Sequence, residues 1–280
     1  MQSHSHFERH VYSGLEPAQA FDVVYGSHFE HRLLSPKRAT MEHQRLILGD
    51  VRMETGCYDF PVMALGAMPR DTICIGLVAE GADRTRCNTE VIEEDEVQIY
   101  GPGVELMYHG AGPSRWINFT APPERLQALA QARTGRPLDL PQRGVVTRRL
   151  NPGGRRYLQL LVPDAFVLTR ALQPAGISNL LAHAISQAVV VAYVDALCAA
   201  EMARRTPRTT TAWRHHQVVM ACERLLVSGE MRTDLVEVAR RSGYTLRSLE
   251  LIFRRSVGMT PGRYFLNMRL NGALRDLLSG

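Results

Sequence analysis

The spacing of apolar residues changes character twice along the chain. From Leu46 to about Thr120 they come in short runs: LILGDVRME, ALGAM, TICIGLVAE, DEVQIYGPG, VELMYHG and RWINFTA, each bounded by Gly, Pro, Asn or Asp. Such runs, punctuated by turn formers, predict the strands of a small β-sandwich or barrel. Pro122-Pro123 then opens a helical period over Glu124–Arg133 that Gly135 ends. Pro152–Gly154 opens a second helix, with Tyr157, Leu160, Leu161 and Phe166 expected as its apolar side. Over Ile177–Met202 apolar positions recur at three- and four-residue steps, and Ser178-Asn179 can cap that start. Ahead of the strands, a partly helical stretch is expected around Pro17–Tyr25, and the first ten residues read as a polar tail.

A third pattern follows Met202. Ala203–Thr211 (ARRTPRTTT) has the composition of a linker, and helical period resumes at Trp213. Beyond it, a short helix ends at Gly243, a second starts on Thr245, and a third follows Thr260-Pro261. A helix enters the DNA major groove only if another helix braces it through a tight turn, with small residues at the crossing. Ala239 and Gly243 suit those places, and Leu235 and Val238 suit the inner face of the first helix. Thr245 is placed to cap the second helix, whose Leu246, Leu249, Ile252 and Phe253 are spaced to bury. That leaves Arg247, Ser248, Glu250 and Leu251 on the face that would read bases, with Arg254 and Arg255 placed for phosphates. The chain therefore divides into a β-rich unit with flanking helices (1–203), a linker (204–211) and a helical DNA-reading unit (212–280). The class is α+β, a β-barrel or sandwich with flanking helices followed by an all-α helix-turn-helix unit.

Charge agrees with that division. The net charge is +5, and from Arg204 onward arginines outnumber carboxylates roughly two to one, whereas Glu90–Glu96 (EVIEEDE) is acidic. The basic excess thus lies where the reading unit lies. Five cysteines are dispersed with no CxxC, which argues against a disulfide framework or zinc knuckle and for reduced thiols. With no apolar leader at the start and no apolar run long enough to span a bilayer, a cytoplasmic protein without membrane association is expected.

The residues GYTLRSLELIFRRSVGMTPGRYFLNMRLNGALRDL resemble the DNA-binding domain of the AraC family. The signature is a Gly turn, a recognition helix ending in Phe, then G-x-[ST]-P and a helix carrying Arg-Leu. Here these are Gly243, Phe253, Gly258-Met259-Thr260-Pro261 and Arg269-Leu270. The resemblance implies a bacterial transcription regulator, an activator engaging RNA polymerase among its forms, that binds an operator through Arg247, Glu250 and Leu251. Leu251 departs from the polar residue often found there, so contact with a thymine methyl is expected of it. The family carries two such units joined by a long helix. Pro261–Leu277 is similar to that helix, and the residues through Gly280 hold one unit, so weak sequence-specific binding is expected of the chain as a monomer.

Leu46–Thr120 and the helices after it are similar to the cupin-like sensor half of such regulators, in particular the ethanolamine-regulator branch, through LILGDVRMETG and EDEVQIYGPGVELMYHG. The resemblance implies a small-molecule effector and a homodimer paired through helices, here Ile177–Met202. Candidate effector anchors are Arg84, Arg86, Tyr108 and Trp116. Arg204 and Arg208 form an RxxxR that resembles the motif of cyclic di-GMP receptors such as PilZ domains, although here it follows the β-rich region. Cyclic di-GMP or an amine are the effectors considered. The alternative is a cupin-type small-molecule-binding enzyme with a vestigial helical tail. Metal cupins place HxH, Glu and a later His within the barrel, whereas the HxH here, His4-Ser5-His6 with Glu8 and His10, precedes it. His28, His31, His43, His109 and His183 show no ligand spacing, and neither a Ser-His-Asp nor a GxSxG pattern is present. No catalytic residue, metal or cofactor is expected.

Overall fold

The computed structural model describes residues 5–35, 39–172, 176–203, 207–227 and 235–279, with the backbone alone for 207–210 and 279. Thirteen strands are described: β1 Ser5–Gly14, β2 Phe29–Leu33, β3 Ala39–Leu48, β4 Val51–Tyr58, β5 Val62–Ala67, β6 Ile73–Glu80, β7 Thr85–Cys87, β8 Glu90–Val91, β9 Glu96–Tyr100, β10 Glu105–Gly110, β11 Ser114–Ala121, β12 Val145–Arg149 and β13 Glu201–Met202. The helices are α1 Pro123–Thr134, α2 Pro152–Ala171, α3 Asn179–Cys198, α4 Pro207–Val227, α5 Leu235–Ser242, α6 Leu246–Val257 and α7 Pro261–Ser279.

The strands form two antiparallel sheets. One is eight-stranded, in the order β1-β3-β4-β11-β6-β9-β12-β13, and the other is five-stranded, in the order β2-β5-β10-β7-β8. The class is α+β as expected. The β-region is a sandwich of two sheets with open edges, so the closed-barrel form of the cupin expectation is not what is seen. Alternation along each strand sends successive side chains to opposite faces, and here both faces of both sheets are covered. On β6 the odd positions Ile73, Ile75 and Leu77 join a core with α1–α3, while Cys74 and Val78 join a core between the sheets. Double burial explains why TICIGLVAE reads as a continuous apolar run rather than a clean alternation.

The molecule is thus four layers deep: α1–α3, the eight-stranded sheet, the five-stranded sheet, and α4–α7. Phe119 of β11 stacks on Tyr193 of α3 at 4.1 Å between ring centroids, in the centre of the outer core. The last layer packs on Met63 of β5 and Met107 of β10 through Val219, Cys222, Phe253 and Phe265.

Several expectations change. The polar tail is in fact strand β1, paired with β3 along its whole length, because its backbone finds a ladder at the edge of the larger sheet. Around Pro17 only a short 3-10 turn forms, Glu16–Gln19. The linker expected over 204–211 is helical from Pro207, proline being well tolerated in a first turn. On α2 the buried side is Leu158, Val162, Ala165, Phe166 and Thr169, and Tyr157 and Leu160 face outward. The Ile177–Met202 helix ends at Cys198, and Glu201–Met202 pairs with β12. Helix α3 is long and apolar enough to cross a membrane by composition, but half of it is buried inside this fold. The stop of α1 at Gly135, in left-handed conformation, and the cap of α3 by Ser178 are as expected.

Candidate functional site

Two features stand on this frame: an exposed helix and a cavity between the sheets. Thr245 caps α6, its hydroxyl accepting the Ser248 backbone N–H at 3.1 Å. Gly243 turns the chain between α5 and α6 at φ +79°, a conformation that favours glycine. Leu249, Ile252, Phe253, Ser256 and Val257 are buried, and Phe253 meets Tyr264 and Phe265 edge-on at 5.3 and 5.5 Å. Leu246, expected to bury, is 36% exposed, since the first turn of α6 stands clear of its neighbours. Opposite the buried stripe, Thr245, Arg247, Ser248, Leu251, Arg254 and Arg255 are exposed and Glu250 is half-buried. One face of a capped, braced helix therefore presents three guanidiniums and short polar groups to solvent, a geometry suited to a groove lined by phosphates.

The same helical layer is fastened to the sandwich by buried polar contacts. Arg32, on β2, forms ion pairs with Glu30 and with Glu223 of α4, and donates to the Tyr264 hydroxyl of α7 at 3.3 Å. The Tyr264 hydroxyl in turn donates to Glu223 at 2.8 Å. Burial works against the Arg32 charge, but the hydrogen bonds it donates to both glutamates outweigh that and hold the guanidinium above its ordinary value. Asn271 of α7 mimics a strand neighbour: its Oδ1 accepts the Leu33 N–H at 2.8 Å and its Nδ2 donates to the Leu33 carbonyl at 3.0 Å. Arg275 pairs with Glu30 at 2.6 Å. At the far edge the Thr89 hydroxyl donates to the Ala212 carbonyl of α4 at 2.6 Å, and Thr89 holds a left-handed φ of +69° that a β-branched residue rarely adopts. His109 lies in the same interface, close to Gly258, and burial pushes its imidazole down to about 4.

Strand alternation connects this docking face to the cavity. On β2, Phe29 joins the inter-sheet core and His31 contacts Tyr58, while Glu30 and Arg32 face the helices. On β10, Leu106 and Tyr108 point inward, whereas Met107 packs with the helical layer. The five-stranded sheet is one wall with the cavity on one side and the helical unit on the other.

The cavity measures about 40 Å³, and its lining includes Phe29, Tyr58, Gln98, Tyr100, Tyr108 and Trp116. Gly56 lies directly against the Trp116 ring, where any side chain would collide with the indole. The Trp116 indole N–H donates to the Tyr58 hydroxyl at 3.2 Å, and Tyr108 donates to Ser114 at 2.8 Å. Of the expected anchors, Tyr108 and Trp116 line the cavity. Arg84 sits on a surface 3-10 turn beside Asp83, and Arg86 lies on the outer face of β7 while its neighbours Thr85 and Cys87 are buried. Arg204 lies outside the described residues, as does the side chain of Arg208. Among the described residues no three His, Cys, Asp or Glu side chains converge as a metal would require.

No family model and no curated protein sequence matches the chain. Solved structures do align with it. One is the AraC-like transcriptional activator CuxR, at 15% identity and a TM-score of 0.43 over 95% of both chains. The chain is similar to an AraC-like regulator. It is also similar to ToxT of Vibrio cholerae strain SCE256. The unsaturated-fatty-acid-bound wild type aligns at 9% identity and a TM-score of 0.27, over 94% of this chain and 96% of that one. The apo form of a ToxT point variant aligns at 10% identity and 0.25, over 74% and 97%.

Residues that join helices α4–α7 to the sandwich escape a sequence reading. Arg32, Glu223, Tyr264 and Asn271 are far apart in the chain and sit in no motif. Glu30 and Arg32, charged and alternating with Phe29, His31 and Leu33 in a short strand, are a local trace of a second buried face.

Proposed function

We propose that this protein is a DNA-binding transcription regulator in which α6 reads the operator and the inter-sheet cavity holds a small-molecule effector. The observation that carries the DNA reading is α6 itself: capped at Thr245, braced across Gly243, and exposing Arg247, Ser248, Leu251, Arg254 and Arg255 while the rest of the unit is docked. In this reading Arg247, near the helix N-terminus, makes a bidentate contact to guanine, Glu250 accepts from cytosine N4, and Arg254 and Arg255 meet phosphates. The cavity supports the effector reading, because it shares the five-stranded sheet with the docking face. A ligand that shifts Phe29, Tyr58 or Tyr108 acts on the strands that carry Arg32 and Met107. Its differential affinity for two docked arrangements is what would bias operator occupancy. The charge-free lining favours an uncharged effector over cyclic di-GMP.

Pairing of two copies fits α2 better than the expected Ile177–Met202 helix, whose Val189, Val190, Tyr193 and Ala196 are committed to the core. Helix α2 exposes Tyr157, Leu160, Val167 and Leu168. Arg156 and Asp164 stand four residues to either side of Leu160, so an antiparallel two-fold pair would set each against the other's opposite.

The test is selection of duplexes from a random DNA pool by the purified chain at low salt, followed by binding of the enriched sequence to wild type and Arg247→Ala. An enriched motif with weaker, less discriminating binding by the variant is expected. Failure to enrich any motif, or an unchanged affinity in Arg247→Ala, would overturn the reading.

A further inference from the structure

The floor of the inter-sheet cavity is a row of three residues on adjacent strands. Gly76 of β6 pairs with Gln98 of β9 on one side and with Asn118 of β11 on the other. Residues in register across a sheet share a face, so two amides flank a glycine, each one strand spacing from it. Having no side chain, Gly76 lets the Asn118 amide and the Tyr100 ring lean over the middle of that row. A Cβ there would lie 2.8 Å from Asn118 Oδ1 and 3.1 Å from the Tyr100 ring. Among the described residues the Gln98 amide nitrogen has no hydrogen-bond partner, although Gln98 is only 3% exposed. A donor in that position costs the fold stability unless something accepts from it. The Tyr100 hydroxyl reaches only the other end of the same amide, at a long 3.5 Å.

The rest of the cavity narrows the chemistry. Among the described residues no Asp, Glu, Lys, Arg or His lines it. Burial keeps its ionisable groups uncharged: the Cys87 thiol and the Tyr108 hydroxyl are both pushed up to about 12. An ion entering would lose its hydration with no counter-charge to meet it. The aromatic walls, Tyr58, Tyr108 and Trp116, suit a flat apolar body. The free volume, about 40 Å³, is room for roughly two or three waters, less than a ring occupies. A ringed occupant therefore requires Val23 and Val24, which line the cavity from the strap ahead of β2, to give way. That strap is pinned where Arg45 donates to the Asp22 carboxylate at 2.8 Å and Glu54 accepts the Tyr25 N–H at 2.9 Å.

We propose that the cavity binds an uncharged, single-ring carboxamide or lactam, its carbonyl accepting from Gln98 Nε2 and its N–H donating to Asn118 Oδ1 above Gly76. The proposal rests on the reading of this cavity as the effector site and gives that site a chemical class.

Three isosteres separate charge from shape: benzamide, benzoate and benzamidine. Trp116 lines the site, so its emission reports binding over the constant signal of exposed Trp213, and a thermal melt of the full chain provides a second readout. Benzamide is expected to bind at millimolar concentration and to raise the melting temperature, with benzoate and benzamidine at least about tenfold weaker. Gln98→Leu is expected to weaken benzamide about tenfold by removing the donor. Gly76→Ala is expected to weaken it at least as much by pushing the Asn118 amide aside, the unliganded melt confirming that each variant folds. Benzoate or benzamidine binding as tightly as benzamide would overturn the proposal. So would benzamide binding unchanged in a folded Gln98→Leu, or no benzamide binding at all. None of these readouts contains DNA. A chain that binds benzamide but selects no DNA motif would sink the regulator reading and leave this site standing.

Discussion

The two helical layers are attached to their sheets by different chemistry. Helices α1–α3 meet the eight-stranded sheet through an almost wholly apolar core in which Phe119 stacks on Tyr193 and Val189, Val190 and Leu197 fill around them. Helices α4–α7 meet the five-stranded sheet through a smaller apolar patch surrounded by buried ionic and amide contacts, Arg32 with Glu223, Asn271 with the Leu33 backbone, and Arg275 with Glu30. Apolar burial is strong but indifferent to small shifts, whereas a buried charged network is satisfied in one geometry and is close to neutral against an apolar replacement. The first layer is therefore part of the sandwich. The second is docked in a defined pose, and most of the apolar core lies outside its interface.

The largest expected effects fall on the docked layer. Phe253→Ala, at the centre of its apolar patch, should cost about 3–5 kcal/mol in denaturant unfolding, and the loss should be confined to the transition of the helical unit. Arg32→Met should cost about 3–5 kcal/mol, because Glu223 is left buried without its counter-charge. The double variant Arg32→Met, Glu223→Leu should recover most of that loss. A double variant as unstable as the sum of the singles would mean that the ion pair does not act as a unit.

Smaller effects separate reading from holding. Arg247→Ala should weaken binding to a selected duplex by about 1–3 kcal/mol while leaving the melting temperature unchanged, because the side chain is exposed. Thr245→Ala should lower stability by about 1 kcal/mol through loss of the α6 cap, detectable as a shifted melting midpoint.

The pH dependence has a definite sign. Burial pushes His31 and His109 down to about 4 and His43 to about 3, so between those values and the unfolded value near 6.5 the unfolded chain binds protons that the fold excludes. Stability from these groups is present above pH 6.5 and is lost as pH falls through that window. Burial also pushes up Glu54, to about 7, and Glu96, which act in the opposite direction, but His215 and His216 are lowered as well and add to the three histidines. Melting temperature should therefore fall from pH 7 to pH 5, and His109→Leu should flatten the slope. An unchanged slope in that variant would place His109 outside the docking interface.

Much of this was legible in the chain. The short punctuated runs predicted strands, Gly135 predicted the end of α1, and Ser178 and Thr245 predicted the starts of α3 and α6, because turns and caps depend on residues a few positions apart. The buried stripe Leu249, Ile252 and Phe253 followed from helical period alone. Strand β1 was missed because its alternation is carried by His, Glu, Arg and Tyr, which read as a polar tail until β3 supplies a ladder. The apolar side of α2 was misassigned because Tyr157 and Leu160 are as apolar as Leu158 and Val162, and only the position of the sheet decides which stripe faces it.

By itself, the sequence determined the local elements, the capped and braced helix α6, and the basic end of the chain. Each depends on backbone preference and on spacing within one or two turns. Tertiary structure alone decided that the five-stranded sheet is a wall with a cavity on one side and helices α4–α7 on the other. It also decided that Gln98, Gly76 and Asn118 form one row. Register between strands twenty or more residues apart brings those amides together, and long-range pairing of that kind leaves no mark in the order of residues along the chain.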